Sequence, residues 1–326
     1  MFKKENDWPP NSRRPTFKLQ FGGASLLLGD RTLIMGVVNV TPDSFSDGGL
    51  YFDPAQAVDR GLELVAQGAD WLDVGGESTR PGSQPVSAAE ELRRVLPVIQ
   101  RLRRRLPKTP ISIDTRKAEV AEGAVEAGAN ILNDVSGLRF DPRLADVARR
   151  RQTPLVLMHS RGRPETMQSR PFVKDILLSI RSGFERSIKR AQRAGLRRSL
   201  LILDPGLGFG KSRFQNFEIL AHLRQLRRFG LPLLIGSSRK SFVQAVAGGA
   251  LLDSPAVPRA PQCKVHGRGY WPMLENREEP PAPALQLGDA AAVVAAILGG
   301  AHIVRVHDVA SILPAVRIAD AVLAVG

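Results

Sequence analysis

Short apolar runs rich in β-branched residues alternate along this chain with longer stretches whose apolar positions recur every three or four residues. The first pattern marks buried strands and the second amphipathic helices. Eight runs read as strands: Leu33–Asn39, Trp71–Val74, Ile111–Asp114, Ile131–Asn133, Leu155–His159, Leu200–Asp204, Leu231–Gly236 and Ile303–His307. Between them Pro54–Gln67, Ser87–Arg105, Lys117–Ala127, Phe172–Ala194 and Phe217–Arg228 read as helices. Ser87 followed by Glu90 predicts a capping box, in which hydroxyl and carboxylate each satisfy an orphan N–H. Gly68-Ala69, Gly128-Ala129, Gly195-Leu196 and Gly300-Ala301 each precede a new apolar run. Glycine suits the left-handed position after a helix, so these are helix-to-strand joints of one repeating unit. Such alternation predicts a parallel α/β sheet, and eight units favour a single closed (β/α)8 TIM barrel over an open doubly wound sheet.

Nearly every proposed strand ends in a polar residue: Asn39, Asp73, Asp114, Asn133, His159, Asp204, and Arg305 with His307. Any one of them marks no more than a strand meeting a loop. Together they predict convergence on the one barrel face where active sites are built. Two segments stand outside the repeat. Residues 1–31 read as a loose tail followed by a short strand or hairpin, Phe17 to Leu28, that plugs the barrel's far end. Within the barrel domain of 32–326, residues 247–285 carry Pro255, Pro258, Pro261, Pro272, Pro280, Pro281 and Pro283. That density excludes a regular element and predicts a long, partly disordered surface excursion.

Composition narrows the setting. At 326 residues, 43% hydrophobic and 24% charged, the chain is globular in character, with room for one large domain or two ordinary ones. Its one cysteine, Cys263, closes no intrachain disulfide and builds no thiolate cluster. No signal-peptide pattern opens the sequence, and the most apolar stretch, Ala290 to Val304, is broken by Gly299, Gly300 and His302. A cytoplasmic protein that crosses no membrane is expected. The net charge of +14 is compatible with nucleic acid, an anionic surface or an anionic substrate. Much of the excess lies in arginine runs such as 101–105 and 149–151, which read as solvated helix faces. With aromatics at 6% and none interleaved with the basic stretches, no nucleic-acid partner is expected.

Chemistry concentrates in ordered blocks. Met35 to Gly49 (MGVVNVTPDSFSDGG) runs from a strand into a polar, glycine-ended loop. Asp73 to Gly82 (DVGGESTRPG), Ile113 to Lys117 (IDTRK), Asn133 to Gly137 (NDVSG), Asp204 to Lys211 (DPGLGFGK), Ser238 to Ser241 (SRKS) and Arg305 to Asp308 (RVHD) follow. In this order, over nearly the whole chain, the blocks closely resemble the dihydropteroate synthase family, folate-pathway enzymes that join a pterin pyrophosphate to p-aminobenzoate. The resemblance implies that Asp204, Asn133 and Lys240 hold the pterin edge, with Met158 and Phe209 on its faces and Thr79 in the same binding set. A carboxylate accepts two adjacent ring N–H bonds at once, which suits Asp204 to this clamp. Arg305 and His307, on alternate residues of one strand, suit the phosphate oxygens. Asp114 suits positive charge developing on the ring.

The resemblance also implies a Mg2+ bound by Asn39 and the pyrophosphate, with Asp47 assisting, and a p-aminobenzoate site of Phe45, Arg80, Pro81 and Ser241. It implies a dissociative reaction without a nucleophilic side chain, catalysed through Asp114, Lys240, Arg305 and His307, and a possible homodimer through the last helices. Asp289 stands where a hydroxyl or small residue would be expected. Lys211 and His222 read on their own as surface residues, and His159 as a hydrogen-bonded strand-end histidine. Gly206 to Gly210 fit a tight turn better than a phosphate loop. Three alternatives differ in chemistry: a pterin-binding methyltransferase, which has no use for pyrophosphate ligands, a non-catalytic pterin-binding paralogue, and a basic nucleic-acid-binding protein.

Overall fold

The computed structural model describes residues 14–21, 24–41, 53–78, 83–162, 173–248 and 282–325. Strands β1 (Phe17–Phe21) and β2 (Ala24–Leu28) form an antiparallel hairpin. After it come β3 (Leu33–Asn39), α1 (Pro54–Ala66), β4 (Trp71–Gly75), α2 (Ala88–Arg105), β5 (Ile111–Asp114), α3 (Ala118–Glu126), β6 (Ile131–Asp134), α4 (Leu144–Arg151), β7 (Leu155–Met158) and α5 (Ile176–Arg193). The chain continues through β8 (Leu201–Asp204), α6 (Arg213–Ala221), β9 (Leu234–Ile235), α7 (Ser241–Ala247), α8 (Ala282–Leu298), β10 (Ile303–Val306) and α9 (Val309–Val325).

Strands β3 to β10 form one parallel sheet in the order β8-β7-β6-β5-β4-β3-β10-β9. A parallel bridge between Leu203 and Leu233, with the Leu203 N–H donating to the Pro232 carbonyl at 2.9 Å, joins the two edges. The sheet is therefore the predicted (β/α)8 barrel. The glycine joints repeat one device four times. The N–H of Ala69 reaches the Leu64 carbonyl while that of Gly68 reaches Val65, and the same pair of bonds recurs at Gly128-Ala129, Gly195-Leu196 and Gly300-Ala301. Each of these glycines has a positive φ, from +81° at Gly195 to +118° at Gly128, the left-handed turn that ends a helix and releases the next strand.

Two apolar clusters hold the barrel. The larger lies between strands and helices, from Ile34 and Val38 through Leu102, Ile113, Leu157 and Phe184 to Ile297 and Val316. The smaller fills the N-terminal end of the barrel, where Leu19, Phe21 and Leu28 of the hairpin pack on Met35, Trp71, Ile131, Val156, Ile202, Leu234 and Ile303. Arg14 fastens this end. Its guanidinium donates to the Thr32 hydroxyl and the Ala301 carbonyl, both at 2.6 Å, and pairs with Asp320 of α9 at 2.9 Å.

Several elements differ from the sequence expectations for local reasons. Phe217–Arg228 is not one helix: α6 ends at Ala221 and a 3-10 segment spans Leu223–Phe229. Ser87 caps α2 by accepting the Glu90 N–H, but the Glu90 carboxylate turns to Arg93 and Arg94, leaving half a capping box. The complete box is Ser212 with Gln215, opening α6. Helix α5 begins at Ile176 rather than Phe172, with Asp175 accepting the Leu178 N–H. The proline-rich expectation for 247–285 fails at both ends. Ala247 closes α7, and residues from Ala282 belong to α8 with Pro283 in its first turn, where a missing N–H costs no hydrogen bond. The rest of that segment lies outside the described residues.

Candidate active site

Five of the predicted strand-end residues, Asp114, Asn133, Asp204, Arg305 and His307, share one cavity, whereas Asn39, Asp73 and His159 lie outside its lining. Asp114 of β5, Asn133 of β6, Met158 of β7, Asp204 of β8, and Arg305 and His307 at the end of β10 line one cavity with Phe209, Ser238 and Lys240. Asp73, in the middle of β4 and fully buried, is the hub beneath it. Its carboxylate accepts from the Ser112 hydroxyl at 2.6 Å, the Asn133 amide at 3.0 Å and Arg305 Nε at 2.6 Å. Arg305 Nη2 reaches across to Asp114 at 2.9 Å. Arg305 is thus clamped between two carboxylates, and Asn133 is oriented by the same hub.

Burial sets the electrostatics. It pushes Asp114 up to about 8, with Arg305 pulling the other way and Asp73 adding to the rise. Asp204 is raised to about 6, again chiefly by burial, although the Gly206 N–H donates to its Oδ1 at 2.7 Å. Burial lowers Lys240 to about 8, helped by the positive charge of Arg305. Lys240 lies over Phe209, with Nζ 4.1 Å from the ring centroid. This fold-over and the clamped Arg305 keep the cavity narrow, about 30 Å³. Small-molecule sites usually offer roughly 300 Å³ or more. A flat bicyclic ligand therefore needs Lys240 to swing off Phe209.

Three supporting residues carry signals that local periodicity does not show. Lys211, read as a surface lysine, is only 2% exposed and donates to the carbonyls of His159 (3.0 Å), Gly206 (2.7 Å) and Phe209 (3.1 Å). It stitches the end of β7 to the Gly206–Gly210 turn, whose three glycines all have positive φ, and so fixes Phe209. Asp289 of α8 accepts the Arg239 N–H at 3.0 Å and the Ser238 hydroxyl at 3.2 Å. This explains its acidic character: it holds the loop where Arg239 takes a φ of +56° and presents Lys240. Ser238 in turn meets His307, whose Nδ1 lies 3.3 Å from its hydroxyl oxygen. Nearby, Glu77 accepts from Arg116 at 2.8 Å and Lys117 at 2.6 Å, tying the loops after β4 and β5 together.

Asn39 ends β3 with its neighbour Gly75 on β4, half-buried at the same barrel face. Its amide oxygen is a donor of the kind a Mg2+ takes when most of its ligands come from phosphate and water. Among the described residues no cluster of three His, Cys, Asp or Glu side chains forms a metal cage. Ser241 opens α7 and is exposed outside the cavity lining. Phe45, Asp47, Thr79, Arg80 and Pro81 lie outside the described residues. His222 is exposed, as expected. His159 is only partly bonded: Nε2 faces the Ser179 hydroxyl at 3.3 Å, but Nδ1 has no partner among the described residues.

Comparison with known proteins places this geometry in context. Residues 35–307 match the family model described as pterin binding enzyme. A dihydropteroate synthase of Synechocystis is 42% identical over 293 residues, covering 90% of this chain and 91% of the relative. The structure of Xanthomonas albilineans dihydropteroate synthase with 4-aminobenzoic acid superposes with a TM-score of 0.79 at 40% identity, covering 96% of this chain and all of the other. The same bacterium's enzyme in complex with 7,8-dihydropteroate gives a TM-score of 0.75 at 38% identity, with coverages of 95% and 100%.

Proposed function

The chain belongs to the pterin-binding enzyme family, among the dihydropteroate synthases, and from that premise we propose how its own residues carry the reaction. The substrates are 6-hydroxymethyl-7,8-dihydropterin pyrophosphate and p-aminobenzoate, and the products are 7,8-dihydropteroate and diphosphate. Asp204 accepts paired N–H bonds from the aminopyrimidinone edge. Asn133, locked by Asp73, matches the adjoining donor and acceptor, and Lys240 moves from Phe209 to the carbonyl side of the ring. Met158 and Phe209 then cover the two faces.

When the C–O bond to the leaving group breaks, its electron pair goes to diphosphate and positive charge spreads over the exocyclic carbon and the ring. Arg305 and His307 stand where the departing oxygens gather charge. A diphosphate competes with Asp114 for Arg305, so its arrival turns the Asp114 carboxylate toward the ring. Burial raises the Asp114 pKa, and positive charge forming beside it favours the ionised carboxylate. The arylamine nitrogen then bonds to the carbon and gives up its proton to solvent. Asn39, with Asp47, would hold a Mg2+ whose charge neutralises the leaving group. The p-aminobenzoate site is assigned to Ser241 with Arg80, Phe45 and Pro81, on the resemblance alone.

The observation that carries this reading is the single cavity shared by Asp114, Asn133, Asp204, Lys240, Arg305 and His307. The test is a turnover assay measuring diphosphate. Release that requires both substrates and Mg2+ is expected, and no release with all three present would refute it. Two copies pair, on this reading, over α6, α7 and α8. Leu220, Val243, Val246 and Ala292 there line an apolar groove of about 660 Å³, and sedimentation of the intact chain would show a dimer. A cytoplasmic setting suits a chain with one cysteine and, among the described residues, no helix long and apolar enough to cross a membrane.

A further inference from the structure

A second cavity, of about 300 Å³, lies at the C-terminal end of β7, and the Met158 side chain lines both it and the catalytic cavity. Arg139, Arg186 and Arg190 line it. Arg139 and Arg190 bond to neutral oxygens. Arg139 donates to the Ser160 hydroxyl at 2.6 Å and the Ser136 carbonyl at 3.1 Å, and Arg190 to the Leu138 carbonyl at 3.3 Å. Asp134, the carboxylate felt by Arg139, already accepts the N–H groups of Ser136 at 2.7 Å and Leu138 at 2.5 Å. Among the described residues, no carboxylate pairs with Arg139, Arg186 or Arg190.

A buried histidine lines the same space. His159 lines the cavity, is 7% exposed, and leaves Nδ1 without a partner among the described residues. A neutral ring whose Nε2 accepts from the Ser179 hydroxyl, 3.3 Å away, has its proton on Nδ1, and this is the tautomer assigned to it. Burial first, then Lys211 and the surrounding arginines, holds His159 down to about 2, so the ring stays neutral and donates one hydrogen bond. The packing is arranged to keep it there. A Cβ at Gly183, in the interior of α5, would stand 2.5 Å from His159 Cδ2. A helix-interior glycine costs about 1 kcal/mol relative to alanine. Here it lets the imidazole lie on the helix beside Ser179.

We propose that this cavity is an oxyanion site for a phosphate-class dianion, gripped by Arg139, Arg186 and Arg190 with His159 as a neutral donor, separate from the diphosphate seat at Arg305. Guanidinium forks match phosphate oxygens, and a neutral imidazole N–H adds a bond without further charge to desolvate. The ligand comes either from free phosphate or from the diphosphate released next door. The proposal stands on this cavity alone and does not require the reaction assigned above.

Calorimetric titration of the full chain at low ionic strength, with inorganic phosphate and separately with diphosphate, tests it. One phosphate site is expected that persists in Arg305→Gln and weakens at least about tenfold in the double variant Arg186→Gln/Arg190→Gln, the loss typical of charge-assisted hydrogen bonds. Both arginines are exposed on α5, so the double variant is expected to melt like the parent chain. Arg139→Gln gives an independent reading, with weakening expected again. A further expected signature is a phosphate-dependent shift of the His159 Nδ1 resonance. Tighter diphosphate than phosphate at this site identifies the reaction product as its ligand, and the reverse identifies free phosphate. Absence of phosphate binding, its disappearance in Arg305→Gln, or unchanged affinity in both arginine variants overturns the proposal.

Discussion

At the N-terminal end of the barrel, Met35, Trp71, Ile131, Val156 and Ile202 meet the hairpin residues Leu19, Phe21 and Leu28 in an apolar layer. Toward the C-terminal end, the same strands present Asn39, Asn133, Met158 and Asp204, with Asp73 just beneath. Strand β6 makes the contrast in four residues, with Ile131 in the plug and Asn133 on the Asp73 hub. The first end gains free energy by removing apolar surface from water. The second holds buried charges whose desolvation is repaid only by mutual pairing, which makes it expensive and sensitive to each partner. Stability and chemistry are thus assigned to opposite ends of common strands.

Substitutions can break this division. The largest effect is expected for Asp204→Asn, which keeps the shape but loses the double acceptor: pterin binding falls below calorimetric detection while the melting temperature stays close to that of the parent chain. Trp71→Ala, at the other end, should cost about 3–5 kcal/mol of stability in denaturant titration. The kcat of its folded fraction should be unchanged. Arg305→Met tests whether the ends are fully separate, since it leaves Asp73 and Asp114 buried without their cation. About 3 kcal/mol of stability should go together with turnover. An unfolding midpoint equal to that of the parent chain would show that the clamp contributes nothing to the fold.

The smallest effect is that of pH. Asp204 accepts two ring N–H bonds at once only when ionised, so pterin affinity should fall as pH drops through about 6, by at most tenfold per unit. Lys240 donates as a cation, so affinity should decline again as pH rises through about 8. A flat affinity from pH 5 to 9, measured by fluorescence titration, would remove both groups from pterin recognition.

The same contrast explains what could be read from the sequence. The strands and their glycine joints were legible because alternation of apolar runs and Gly-Ala or Gly-Leu steps are local signals, and Asn133, Asp204 and Arg305 stood out as polar residues closing apolar runs. The hub role of Asp73 was not legible: its partners Ser112, Asn133 and Arg305 come from three other strands. Lys211 and Asp289 were missed for a related reason. Each satisfies backbone groups of a loop whose shape exists only in the folded barrel. The arginine cavity combines residues of the β6–α4 and β7–α5 connections with α5 itself, a juxtaposition without any sequence period. The extent of α8 was obscured because Pro283 looks like a breaker unless it falls in a first turn.

The central claim is that ring recognition and diphosphate recognition are separate tasks of one cavity. Calorimetry of Arg305→Gln with the bare 6-hydroxymethyl-7,8-dihydropterin and with its pyrophosphate measures this directly. The account predicts parent-like affinity for the bare pterin and at least about tenfold weaker binding of the pyrophosphate, as expected for a lost charge-assisted contact. Equal weakening of both ligands would contradict it.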